Sequence, residues 1–183
     1  MNPNLSVPPI PAWNAAHPII VHLPIGVLMI VPVLLLITLC SKRMRQPFAF
    51  MTLVVLVLGL GGIFGAMASG EEAEHAAVVM GEGGKVLDEH EDLAEVTRNI
   101  FIGLTVIYAA IFLAAVGLGD KLGRKTWIGL HAVFLLLVGF GLLQLAHTGH
   151  LGGRLVHQYG VHAPIAPGGA PMPMPGDVEE ATE

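Results

Sequence analysis

The chain has 183 residues, of which 54% are hydrophobic and only 13% are charged, and its mean hydropathy is +0.70. A soluble domain carries about 25% charged residues, so this composition predicts one integral membrane bundle rather than two soluble domains. The formal net charge is −5, and the absence of a basic stripe with interleaved aromatic residues excludes nucleic-acid binding. The single cysteine, Cys40, excludes an internal disulfide and a cysteine-based zinc or iron–sulfur site.

The two ends of the chain differ from the apolar middle. Residues 1–16 lack Lys and Arg and contain a proline-rich run, so we interpret them as an extended lead-in and not as a removed signal peptide. Residues 163–183 are rich in Pro, Gly, Ala and Met with an acidic end, and we expect them to be disordered. The transmembrane bundle is therefore predicted over residues 17–162.

Four segments are long enough to cross a bilayer, which requires about 20 apolar residues per helix. They cover residues 19–40, 48–70, 100–119 and 127–146. The predicted fold is all-α, an integral membrane four-helix bundle in which Pro24 and Pro32 bend the first helix. Small residues recur at helical spacing in the second segment, and helix packing explains them better than contact with a flat macrocycle. These small residues are Gly59, Gly62, Ala66 and Ser69.

Basic residues are concentrated in the first and third connections between the spans, which contain Lys42, Arg43 and Arg45 and then Lys121, Arg124 and Lys125. The positive-inside rule places these two connections in the cytoplasm. Both termini and the long second connection are then expected outside the bacterial cytoplasmic membrane.

The long connection between the second and third spans is strongly acidic. We expect the second helix to continue to about residue 80 and the glycines within 81–84 to form a turn. From Val86 to Thr97, apolar residues and His90 share one helical face. The third helix is therefore predicted to begin near Asp88 and to stand above the membrane, so that extended helical stems connect spans two and three.

Nine histidines are present, and the positions of several on predicted helices indicate a ligand site at the outer end. A haem iron bound by imidazoles from facing helices is one interpretation. Copper or zinc held by several imidazoles, with Glu71, Glu74 or Glu91, is a second. Interfacial histidines satisfied by water or backbone are a third. His131 lies within the fourth span without an evident partner, which favours a hydrogen-bonded packing role.

Four short motifs give the chain a resemblance to a known family. They are HPIIVHLP at residues 17–24, SGE at 69–71, HE at 90–91 and TGHLGG at 148–153. This pattern resembles a bacterial family of four-span membrane proteins known as domain of unknown function 2231. The resemblance implies a four-helix arrangement with recurrent histidines at His17, His22, His90 and His150, and a role in haem binding or redox chains. His75 and His147 are outside that pattern.

The sequence therefore predicts a b-type haem protein that transfers electrons at the outer face, as a subunit rather than as an enzyme. The favoured ligands are His22, His90 and His150, with His17 as a fourth ligand or as a hydrogen-bond donor to a ligand. A copper or zinc site would draw on His22, His90, His150, His75 and His147. A structural subunit without a cofactor is the remaining alternative. The expected partners are the lipid bilayer and a respiratory or other redox complex or an extracytoplasmic electron carrier.

Overall fold

The computed structural model describes residues 13–75 and 81–161. The predictions for the N-terminal lead-in before residue 13, for the continuation of the second helix over 76–80 and for the C-terminal tail lie outside these residues. The 3-10 turn Trp13–Ala15 directly precedes the first α-helix, and another, Gly119–Lys121, follows the fifth. The α-helices are α1 (His17–Ile20), α2 (His22–Leu28), α3 (Val31–Cys40), α4 (Arg45–His75), α5 (Glu82–Leu118) and α6 (Arg124–Tyr159).

Four helical segments are long and apolar enough to cross a membrane, which confirms the predicted number of spans. The first segment combines α1, α2 and α3 over 24 residues, and α4, α5 and α6 form the other three with 31, 37 and 36 residues. A bilayer interior accommodates about 20 helical residues, so each of the last three helices is longer than one crossing requires. The protein is therefore a multi-pass membrane protein by length and composition.

The helices pack as a bundle with an apolar centre. The α4 helix lies against α2 and α3 on one side and against α5 on the other, α5 packs along α6, and α6 returns to α3. Fully buried Leu28, Leu56, Phe101, Tyr108 and Phe134 fill the interior. Large apolar side chains also cover the outside of the helices, as expected where the surrounding solvent is lipid.

The first span was predicted to bend or loosen at Pro24 and Pro32, and the structure divides it there into three short helices. A proline has no N–H group, so it cannot donate a hydrogen bond to the carbonyl four residues earlier. Pro24 removes the bond to Ile20, where α1 ends, and Pro32 removes the bond to Leu28, where α2 ends. The bends therefore follow directly from the two proline positions.

The small residues of α4 are used for close helix packing, which confirms the favoured interpretation. A Cβ added at Gly62 would stand 3.0 Å from the Cδ of Pro24, and one added at Gly59 would overlap Leu28. Gly59, Gly62 and Ser69 are all buried in this surface. The absence of side chains there lets α2 approach the α4 backbone.

The third helix begins earlier than predicted. A helical start near Asp88 was expected after a glycine turn, but α5 begins at Glu82, and of the three glycines in the predicted turn only Gly81 has a positive φ, of 63°. Tertiary packing explains the difference, because Gly83 is buried within the helix and Val86 packs against α6 in a cluster with Leu151 and Leu155. This contact stabilises the helical conformation of a segment whose glycines would otherwise destabilise it.

Candidate functional site

The bundle has two chemically different ends. We call the end with the connection 41–44 and the residues between α5 and α6 the basic end, and the end where α1 begins and α4 finishes the acidic end. Most of the histidines lie at the acidic end, and two of them, His17 and His90, make long-range contacts with other helices.

His17 opens α1 and is fixed on α4. Its Nδ1 lies 2.9 Å from the carbonyl oxygen of Ala66 and 3.1 Å from the Oγ of Ser69. The half-buried imidazole packs against Gly70, where an added Cβ would stand 3.1 Å from the ring Cε1. The Ser69 hydroxyl also donates to the Ala66 carbonyl at 2.9 Å. The ring is therefore held by a backbone acceptor and a glycine surface.

His90 is fixed on α6 in the same way. Its Nδ1 lies 3.0 Å from the carbonyl oxygen of Thr148, and an added Cβ at Gly152 would stand 3.2 Å from the ring Cε1. The Thr148 hydroxyl meets that of Thr97 at 2.9 Å and lies 3.1 Å from the carbonyl oxygen of Gln144. The α5–α6 contact thus surrounds His90 with satisfied polar groups.

The two histidine contacts have the same register. In each helical hairpin, a histidine on the first helix donates to a carbonyl on the second helix and packs on the glycine four residues later. The pairs of contacted residues are Ala66 with Gly70, and Thr148 with Gly152. No internal repeat is evident in the sequence, so this correspondence between the two hairpins is a property of the structure.

The hydrogen bonds determine what the two imidazoles can do chemically. An Nδ1–H that donates to a carbonyl leaves Nε2 as the atom with a lone pair, which is the arrangement of a metal-ligating histidine. His17 and His90 also lie within electrostatic range of each other. The site therefore presents two oriented imidazoles, from different hairpins, whose Nε2 atoms make no hydrogen bond to the described residues.

The other predicted ligands have exposed side chains. The Nδ1 atom of His22, at the start of α2, contacts the Pro18 carbonyl of α1 at 2.5 Å, and that of His75 contacts the Glu71 carbonyl of its own helix at 2.7 Å. His147 and His150 are exposed on α6. Across residues 13–75 and 81–161, no group of three or more His, Cys, Asp or Glu side chains is arranged to hold a metal ion. The structure does not bring His22 and His150 together with His90, and their ligand roles stay predictions.

Two carboxyl groups connect the acidic ends of α4 and α5. The Glu91 carboxyl lies within hydrogen-bonding reach of the Glu74 carboxyl, with Asp88 and Asp92 nearby. A hydrogen bond between two carboxyl groups requires one of them to be protonated. Glu71, by contrast, is exposed. The hydrogen bond with Glu74, followed by burial and the charges of the neighbouring carboxylates, raises the pKa of Glu91 to about 7.

His131 is part of the interior near the basic end. It is 1% exposed, its Nδ1 contacts the Trp127 carbonyl at 3.0 Å, and its ring stacks on the Trp127 indole at a centroid distance of 4.2 Å. Tyr108 meets the same ring edge-on at 5.8 Å. This agrees with the packing role expected from the sequence, although Nε2 is buried without a partner among the described residues.

A family model described as "Predicted membrane protein (DUF2231)" matches residues 14–164, which include every helix described above. The chain belongs to the DUF2231 family. The match confirms the resemblance carried by the four motifs and the assignment as a membrane protein, and the family description names no activity. No match to this DUF2231 chain is found among the curated proteins or among the solved structures.

The sequence of this DUF2231 protein favoured His22 over His17 as a haem ligand. In the structure, His17 is the one of the two that contacts α4. The signal that distinguishes them is the spacing of their possible partners. Ala66 and Gly70 are four residues apart near the end of the second span, as Thr148 and Gly152 are after the fourth, so each hairpin contains one carbonyl–glycine surface of the same spacing. Such a match between hairpins is invisible until the helices are placed side by side.

Proposed function

We propose that the protein binds haem b at its acidic end, with Nε2 of His17 and Nε2 of His90 as the two axial ligands, and that it transfers electrons there. The observation that carries this proposal is that both imidazole rings are held in place by hydrogen bonds to a neighbouring helix. Each Nδ1 is bonded to a backbone carbonyl of the neighbouring helix, at 2.9 Å for His17 and 3.0 Å for His90. Haem sites in membrane bundles commonly take one imidazole from each of two helices.

The number of available ligands favours haem over copper or zinc. A structural zinc site uses four protein ligands and a catalytic site three, and Cys or His ligands are typical of both. The described part of the chain contains no group of three such residues. Haem requires only two axial imidazoles from the protein, because the porphyrin itself supplies the other four nitrogens. The donor set formed by His17 and His90 therefore fits haem better than it fits a bare metal ion.

The residues around the two imidazoles have separate roles in this proposal. The carbonyls of Ala66 and Thr148 fix the Nδ1–H tautomer and increase the basicity of Nε2. Gly70 and Gly152 let each ring lie against a helix backbone, which restricts its rotation. Bound haem would supply a one-electron couple, and the protein would supply its orientation and surroundings.

The charge distribution supports an extracytoplasmic position for the site. The connections at the opposite end hold Lys42, Arg43, Lys121 and Arg124, so the positive-inside rule puts that end in the cytoplasm. The acidic first turns of α5 would then project as a stem outside the cytoplasmic membrane, because carboxylates are costly in hydrocarbon. Both termini would lie on the same side. An electron carrier or a membrane redox complex could then reach the haem from outside.

The proposal is tested by purifying the full chain in detergent after expression with haem supplied, and recording oxidised and reduced absorption spectra. A reducible Soret band and α band, with pyridine extraction identifying haem b, are expected. His17→Ala and His90→Ala should each abolish the low-spin spectrum, and added imidazole should partly restore it by occupying the vacated ligand position. His22→Ala and His150→Ala are the matched controls, because their exposed rings lie in the same region, and both should retain the spectrum.

Three results would contradict the proposal. A colourless wild-type protein with stoichiometric copper or zinc would favour the metal site. A colourless and metal-free protein that copurifies with a larger complex would favour a structural subunit. Loss of the spectrum in His22→Ala or His150→Ala, with His17→Ala unaffected, would return the ligand set to the one expected from sequence.

A further inference from the structure

A cavity of about 580 Å³ lies at the basic end, away from the histidine pair. It is bounded by the connection after α3, the start of α4 and the end of α5, with Trp127 of α6 in its wall. Pockets that bind small molecules typically enclose about 300–1,000 Å³, so the volume suits a ligand larger than a few waters. Nothing in the haem proposal uses this cavity.

The polar lining of the cavity is cationic. Lys42, Arg43 and Arg45 all border it, and none of its described lining residues carries a carboxyl group. The ion pairs found in the described residues, Lys85 with Glu82 and Arg98 with Glu95, are both at the acidic end. Three positive charges therefore face one cavity without a carboxylate partner among the side chains described.

A buried donor adds to these charges. Trp127 is 5% exposed, and its indole Nε1 is buried with no acceptor among the described residues. The Arg45 guanidinium lies 5.3 Å from the centroid of the Trp127 ring. A buried N–H group without an acceptor costs free energy, and the cation–π contact keeps the Arg45 charge at the cavity wall beside it. A smaller cavity, which Arg45 and Trp127 also line, is bordered by Arg124.

The positive ends of two helix dipoles also lie at the basic end. The α4 helix begins at Arg45 and α6 begins at Arg124, so two helix N-termini with unbonded N–H groups lie at this end. Helix N-termini attract anions through these groups and the helix dipole. The N-cap of α6, Gly123, provides no side-chain acceptor for them.

We propose that this cavity binds the phosphate of an anionic phospholipid headgroup. Arginine matches the oxygens of phosphate with paired N–H groups, and Lys42 adds a mobile positive charge. Inorganic phosphate has the same chemistry, but the cavity lies where membrane-spanning helices end, and Ala115 and Leu122 give it an apolar wall. Basic pockets between helices at this depth are suited to lipid headgroups.

The chain contains two tryptophans, so the Trp13→Phe variant leaves Trp127 as the only indole reporter. The full-length variant in neutral detergent is titrated in separate arms with short-chain phosphatidylglycerol, short-chain phosphatidylcholine and inorganic phosphate. A saturable change in Trp127 emission is expected with phosphatidylglycerol alone. Native mass spectrometry of the same samples should show one retained phosphatidylglycerol.

The variant Lys42→Gln/Arg45→Gln should raise the apparent Kd for phosphatidylglycerol about tenfold or more, because it removes charge-assisted hydrogen bonds to the phosphate. Lys121→Gln/Lys125→Gln is the matched control, with the same charge loss at the same end but outside the cavity lining. If Lys42→Gln/Arg45→Gln fails to fold, Lys42→Gln alone tests the proposal, because Lys42 lies in the exposed connection 41–44 and not in a helix.

Each contrary result overturns the assignment. Equal weakening by both double variants would show general surface attraction instead of a site. An equal response to phosphatidylcholine would remove the requirement for an anionic headgroup. Saturation by inorganic phosphate at the same concentration would identify a soluble anion as the ligand.

Discussion

The imidazole of His17 packs directly against Gly70, with the ring Cε1 3.1 Å from the position that a Cβ on Gly70 would occupy. The same relationship joins His90 to Gly152 at 3.2 Å. Contacts this short allow no side chain on either glycine unless the ring moves. Each histidine is therefore oriented by a hydrogen bond and by a glycine surface, both provided by the same neighbouring helix.

The Gly70→Ala variant should displace the His17 ring. An alanine methyl in this contact forces a shift that typically costs about 1–3 kcal/mol. In the haem-loaded protein, the same shift should weaken the Soret band or convert it to a high-spin form. Thermal unfolding in detergent and absorption spectra measure the two effects.

Gly61→Ala is the control for that variant, since Gly61 lies in the same helix and has no atom within 4 Å of its added Cβ. Replacing glycine by alanine within a helix stabilises it by up to about 1 kcal/mol. Gly61→Ala should therefore raise the unfolding temperature or leave it unchanged. Equal behaviour of the two variants would show that the His17–Gly70 contact is unimportant.

A second packing prediction concerns Gly62, which faces the rigid ring of Pro24. An added Cβ would stand 3.0 Å from the proline Cδ and 3.2 Å from its backbone nitrogen. Because neither atom belongs to a flexible side chain, α2 would have to move away from α4. Gly62→Ala should destabilise the protein by about 1–3 kcal/mol in thermal or denaturant unfolding, whereas Gly61→Ala again should not. A Gly62→Ala protein as stable as wild type would contradict the close approach of the two helices.

Thr148→Val separates helix packing from haem binding. The substitution removes the hydroxyl that meets Thr97 at 2.9 Å but keeps the backbone carbonyl that holds His90. The loss of one hydrogen bond, with the Thr97 hydroxyl left to find another partner, should cost about 1–2 kcal/mol of stability. The absorption spectrum of the protein with reduced haem should be unchanged, because the Thr148 carbonyl still accepts the hydrogen bond from His90. A loss of haem at normal stability would assign the Thr148 hydroxyl a direct role.

The carboxyl pair Glu74–Glu91 predicts a pH-dependent contact between the acidic ends of α4 and α5. The hydrogen bond with Glu74, burial and the nearby carboxylates raise the pKa of Glu91 to about 7, so the folded protein keeps this proton at pH values where the unfolded chain, whose glutamates ionise near about pH 4.3, has already lost it. The folded state then binds more protons than the unfolded state, so stability must fall as the pH rises from that value through neutrality.

Glu91→Gln should remove much of this pH dependence, because an amide can donate to Glu74 at every pH. Hydrogen exchange of the backbone amides at the start of α5, followed between acidic and neutral pH, measures the effect locally. Glu89→Gln is the control, since Glu89 is exposed on the same helix and is not among the groups that influence Glu91. If exchange in the wild-type protein slows as the pH rises, after correction for intrinsic rates, the predicted fall in stability with pH is wrong.

Hydrophobic length, proline position and small-residue spacing were sufficient to predict most of the fold. The four spans, the bends associated with Pro24 and Pro32 and the packing of the α4 glycines all follow from local chemistry that the chain carries wherever it folds. The start of α5 was misplaced because Gly83 and Gly84 resemble a turn in isolation. Burial of Gly83 and packing of Val86 on α6 supply the stabilisation that local propensity lacks.

The identity of the candidate ligands depended on tertiary structure. The sequence placed several imidazoles near one end of the membrane, but the direction of each ring depends on which helix lies beside it. His22 and His150 are exposed, whereas His17 and His90 meet a carbonyl and a glycine on a neighbouring helix. Composition and periodicity determine that four helices cross the bilayer, because burial in lipid requires it. Only side-by-side packing determines which two histidines become oriented, because hydrogen bonds between helices form at specific registers.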